Sequence, residues 1–155
     1  MVRVKRQHIP KKQIDYEHLS PNTIQLNTII NLLATEVDVP IDSTGIKHNC
    51  GLIKVTSEMV KHLKEAYFEA YASTPSATDA SVDVELYNAT DGEVITALTF
   101  AGVGGYKESS DIASTLKTLA GKIVSVRINV KTASATSGAT QTFRSAHLRL
   151  VLGIS

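Results

Sequence analysis

Three small constellations in this 155-residue chain carry residue types capable of chemistry. His48, Cys50 and His62 combine imidazole and thiol, the ligand types zinc prefers, but a His-x-Cys step with the next histidine on a later element matches no structural-zinc spacing. His62 also falls among Glu58, Lys61 and Glu65, which reads as a solvated surface. Asp83 and Glu85 alternate along one strand and share one face, whereas a catalytic carboxylate pair must flank its substrate from opposing elements. They read as a charged outer face. Gly102, Gly104 and Gly105 offer bare backbone amides, yet no Lys-Ser or Lys-Thr follows to complete a phosphate loop. No Gly-x-Ser-x-Gly elbow is present, and the lone Cys50 reads as an inert buried thiol with no partner for an internal disulfide. His147, beside Arg149, alternates outward and is expected to face water. Asn88-Ala89-Thr90 is a glycosylation acceptor tripeptide at a surface turn. These readings assign no catalytic, metal-binding or cofactor-binding residue.

The elements that must position these residues are mostly strands. Val82, Val84 and Leu86 share one face; so do Val94, Thr96, Leu98 and Phe100, then Val124, Val126, Ile128 and Val130, and finally Ala146, Leu148, Leu150 and Leu152. Period two is what a strand with one buried face requires. Leu86, Leu98, Val126, Ile128, Leu148 and Leu150 are the expected core. Asp91-Gly92 marks a hairpin with a type I′ turn. Pro40 confines a short strand over 37–41 to an edge, and another strand is expected over 50–55, after turn-prone residues 43–49.

Three helices are expected as accessories. One spans 21–35, capped by Ser20 with Pro21 in its first turn, although two β-branched pairs keep a strand open there. A second spans 57–72, with Met59, Val60, Leu63, Ala66, Tyr67, Ala70 and Tyr71 on one face. A third, over 110–120, is capped by Ser109 or Ser110 and stopped by Gly121. The small-residue loop 132–140 is expected to project. The sum is a mainly β chain with accessory helices (α+β): an antiparallel β-sandwich or jelly roll forming one domain over 20–155, behind an extended arm over 1–19.

Composition narrows the function classes. A formal net charge of +1 supplies no whole-molecule field to steer nucleic acid or anionic membranes. The positive charge is local: Arg3, Lys5, Arg6, Lys11 and Lys12 precede the first carboxylate at Asp15. By charge alone this basic segment reads first as a solvated tail; contact with a neighbouring subunit is the other reading, and contact with nucleic acid is less favoured. His8, Pro10, Lys11 and Lys12 stand where a secretory signal needs an apolar run, so the expected location without an assembly is the cytoplasm. Even the apolar stretch 29–34 is interrupted by Asn31, which excludes a helical membrane span.

The run VDVELYNATDGEVITALTF, then KIVSVRINV, a small-residue loop and the closing AHLRLVLGI resembles the small jelly-roll or β-sandwich structural proteins of virions, including capsid, tail and fibre-associated proteins. The segment HIPKKQIDYEHL is similar to the N-terminal arms by which such proteins attach to neighbours. The resemblance implies a non-enzymatic structural subunit of a virion, partnered by its own copies and by other structural subunits. Val2, Arg3, Val4, Lys5, Arg6, Ile9, Lys11 and Lys12 would form the assembly arm, with Val2, Val4 and Ile9 as anchors. The alternative is a carbohydrate-binding module using loops 101–108 and 132–141, where Tyr106 and Lys107 are the candidate ligand residues and Asn88 the candidate glycan acceptor.

Overall fold

The computed structural model describes residues 25–153. They form two antiparallel sheets built from nine strands: β1 (Gln25–Asn31), β2 (Val37–Pro40), β3 (Gly45–Lys54), β4 (Leu63–Ala72), β5 (Ser81–Asn88), β6 (Glu93–Ala101), β7 (Gly105–Glu108), β8 (Ile123–Thr132) and β9 (Thr140–Gly153). Two single-turn helices, α1 (Ser57–Lys61) and α2 (Ala113–Lys117), complete them. One sheet runs β1-β9-β4-β7, with β2 also paired to β9; the other runs β3-β8-β5-β6. Both β1 and β2 pair antiparallel with the long β9, at its two ends, so they act as one interrupted strand. Each strand of the first half of the chain then pairs with its mirror in the second half: β1 and β2 with β9, β3 with β8, β4 with β7, β5 with β6. Four nested antiparallel pairs wrapped into two sheets are a jelly roll.

The alternation read from the sequence sets the core. Val82, Val84, Leu86, Val124, Val126, Ile128 and Val130 point inward from one sheet, and Ala146, Leu148 and Leu150 from the other; all are buried. The expected core set of Leu86, Leu98, Val126, Ile128, Leu148 and Leu150 is buried as a whole. Phe100 on β6 meets Phe143 on β9 edge to face, centroids 5.7 Å apart, and ties the sheets together with the quadrupole-favoured geometry.

Several expectations change. The helix expected over 21–35 is instead β1 across 25–31, where Thr28, Ile29 and Ile30 favour an extended backbone paired to β9. The helix expected over 57–72 is only α1, capped by the Thr56 hydroxyl, followed by β4. Along β4 it is Ala66, Phe68, Ala70 and Ala72 that are buried, a period of two. The third helix shortens from 110–120 to α2, and neither Ser109 nor Ser110 caps it. Ser109 and Asp111 instead accept hydrogen bonds from the Phe68 and Ala66 amides, sealing the edge of β4 beyond β7. β3 begins at Gly45, so His48 and Asn49 lie in a strand and not a turn. Val94 leaves the buried face, because the register shift between Leu86 and Tyr87 places an extra β6 residue at Ile95. The hairpin closes as a four-residue loop over 89–92, with the Gly92 amide donating to the Asn88 carbonyl. Loop 132–140 does not project. Ser134 donates through its hydroxyl to Asp79 and through its amide to Ile41, and the Gly138 amide donates to Asp42.

Candidate assembly edge and the charged face beside it

A strand at the border of a sheet presents unpaired amides and carbonyls, and proteins usually blunt such borders with bulges, charges, proline or brevity. Four borders exist among the described residues, and three are blunted. β7 is four residues long and carries Lys107 and Glu108. β3 has two register shifts, a positive φ at Gly51, and Lys47, His48 and Lys54. β6 has one register shift and Glu93, and half-hides itself by burying Leu98 and Phe100. On the remaining border β2 is short, ends in Pro40 and carries Asp38. β1 is different. Its seven residues pair with β9 without any register shift, contain no charge and no proline, and none is buried. Leu26 is 52% exposed and Ile29 59% exposed, on opposite faces of the strand.

Behind β1 lies the outer face of its sheet. Register places Ile29 opposite Arg149 and Asn31 opposite His147 on β9, and these in turn oppose Tyr67 and Glu69 on β4. Glu69 is buried although it faces away from the core. One of its oxygens accepts from Arg149 Nε at 2.6 Å, and the other lies 2.5 Å from His147 Nε2. Arg149 also donates through Nη2 to Glu108 at 2.9 Å and lies 4.4 Å from the centre of the Tyr67 ring. Burial alone would raise the Glu69 carboxyl. The hydrogen bonds from Arg149 and His147 outweigh it and hold the group down at about 2. Three strands, β9, β4 and β7, are thereby cross-linked by one charged network, and β1 pairs with the first of them.

The second sheet repeats the device. Glu85 on β5 is buried, accepts from Arg127 Nε at 3.0 Å and Nη2 at 2.6 Å, and accepts from Asn129 at 3.1 Å. Arg127 lies 3.7 Å from the centre of the Tyr87 ring, within cation–π range. Glu85 was expected as a solvated partner of Asp83. It is a buried ion-pair member, while Asp83 accepts separately from the Thr99 hydroxyl. His147, expected to face water, is held against Glu69 with only 17% of its side chain exposed.

The remaining candidates separate. The arm residues Val2, Arg3, Val4, Lys5, Arg6, Ile9, Lys11 and Lys12 lie outside the described residues. Tyr106 and Lys107 lie on β7, not in a ligand loop: Tyr106 donates to Glu108, and the Lys107 ammonium sits 5.6 Å from the Phe100 ring centre. Asn88 is buried: its amide nitrogen donates to Asp91 and its oxygen accepts from the Thr90 and Asp91 amides, so the folded turn does not present it as a glycan acceptor. His48 and Cys50 are half-buried on β3, and burial pushes the Cys50 thiol up, away from the reactive thiolate. Sequence reasoning missed Glu69 and Arg149 because their partnership spans eighty positions and depends on the pairing of β4 with β9. The sequence matches no protein-family model and no curated protein.

Proposed function

We propose that this protein is a non-catalytic structural subunit that assembles with its own copies, as a component of a virion, through the open edge of its jelly roll and its basic N-terminal arm. One observation carries the reading: β1 is a regular, uncharged, doubly exposed edge strand on an otherwise guarded sandwich. Such an edge adds a further strand through main-chain hydrogen bonds, and alternate side chains supply the register. The arm residues 1–19 precede this same strand in the sequence. Jelly rolls recur in capsid proteins, and also in lectins and cupins, so the virion assignment rests on analogy of fold and the assembly assignment on the edge itself.

The test is the solution mass of the full chain against a chain beginning at Ser20, by light scattering, with electron microscopy of the larger species. Assembly of the full chain into a closed, ordered oligomer, reduced to smaller species by the truncation without unfolding, supports the reading. A full chain that stays monomeric at high concentration contradicts it and favours a carbohydrate-binding module.

A further inference from the structure

We infer that β1 pairs with β1 of a second copy across a two-fold axis passing between the two Thr28 residues. The inference rests on the assembly reading above and names the partner at that edge.

Among the described borders β1 alone meets the requirements of self-pairing. An isologous contact places each residue opposite another residue of the same segment and the residue on the axis opposite its own copy, so a charge on the axis, or charges of one sign placed symmetrically about it, would meet like charge, which destabilises a pair. The segment Gln25–Asn31 has no charge to oppose. A bulged strand could not maintain register with a bulged copy of itself, and β1 is unbroken across all its pairs with β9.

The faces then select one register. Leu26, Thr28 and Ile30 lie opposite Leu152, Leu150 and Leu148 of β9, so they share the core side of the sheet; Asn27, Ile29 and Asn31 share the outer side. Residues opposite each other in an antiparallel pair project to the same side. Centring the pair on Thr28 sets Leu26 against Ile30 of the second copy on the core side, twice by symmetry, with Thr28 against Thr28 between them. Asn27 meets Ile29 on the outer side. A slip by one residue would set Leu26 against Ile29, which face opposite sides of the sheet in β1, and would turn one copy's core side into the other's outer side. The centred register uses every residue of β1 and covers both Leu26, 52% exposed, and Ile29, 59% exposed. It also fuses the two sheets into one continuous sheet across the axis.

Two substitutions at exposed Thr28 test this in the full chain, each checked for an unchanged far-ultraviolet spectrum and for an unchanged melting midpoint at a concentration low enough that both proteins are monomeric. Thr28→Lys opposes two ammonium groups across the axis and should raise the dissociation constant of the two-fold contact at least about tenfold in sedimentation equilibrium at low salt, with partial recovery at high salt. Thr28→Cys, in a Cys50→Ser background, should give a disulfide-linked dimer under mild oxidation, because directly opposed strand residues lie within disulfide reach. Ile46→Cys, on the bulged β3 border, should not. Oligomers that ignore Thr28→Lys, or efficient cross-linking at Ile46 and none at Thr28, overturn the inference. If those oligomers still dissociate when the arm is removed, the assembly reading survives without it. A full chain that is monomeric throughout overturns both.

Discussion

Removing the negative charge of Glu69 tests whether the outer-face network stabilises the sheet that presents β1. The substitution Glu69→Gln keeps the shape and one acceptor but not the charge. Each tenfold change in proton affinity is worth about 1.4 kcal/mol. Holding Glu69 at about 2 in place of its ordinary 4.5 therefore contributes at most about 3 kcal/mol, present only while the group is ionised. The folded-state value is the depressed one, so the contribution is complete above the unfolded value, near 4.5, and is lost as pH falls through that point towards 2. The assay is urea unfolding of both proteins at intervals from neutral pH down to the acid limit of the folded state. The wild type should lead by up to about 3 kcal/mol at neutral pH, and the gap should shrink progressively below the unfolded value. Asp79, held down by the Ser134 hydroxyl and the Ala135 amide, and Asp91, held down by Lys122 and Asn88, also lose stability in acid. They act equally in both proteins and cancel in the difference. A gap that is constant with pH, or widens on acidification, would refute the charge-based explanation.

Other perturbations follow from burial and backbone geometry. Leu148→Ala or Ile128→Ala, at positions with no exposure, should each cost about 2–5 kcal/mol in denaturant unfolding; losses below about 1 kcal/mol at both would mean the strand faces are misassigned. Gly51→Ala should destabilise by about 1–3 kcal/mol, because an added Cβ meets the Leu32 carbonyl at a φ of +34°; an unchanged midpoint would contradict the close approach of β3 to the residue after β1. Asn88→Ala removes the side chain that organises the 89–92 turn and should cost about 1–2 kcal/mol, read as a fall in melting temperature with no change in oligomeric state.

The jelly roll was legible wherever one strand face is purely aliphatic. Val82, Val84 and Leu86, or Val124 to Val130 in steps of two, leave no helical reading. β4 was not legible, and the cause is specific. Its buried face is built largely from alanine, the best helix former, while its outer face carries Tyr67 and Tyr71, so summed hydrophobicity favours a helical stripe from Met59 to Tyr71. Pairing with both β9 and β7 overrides that local preference. β1 failed for the opposite reason: its apolar residues fall on both faces, and an edge strand with no buried residue has no alternation to read. The same property that hid it from the sequence makes it the candidate interface. Glu85 looked like surface charge, and nothing in the sequence tied it to Arg127 or Glu69 to Arg149, because alternation indicates which way a side chain points and not which neighbours cover it.

The most direct measurement is sedimentation equilibrium of the unmodified full chain over a wide concentration range. Assembly through an open jelly-roll edge requires a mass that rises to a defined multiple of the chain mass as concentration increases, an even multiple where β1 pairs with β1. A mass fixed at one chain over the whole range would contradict it.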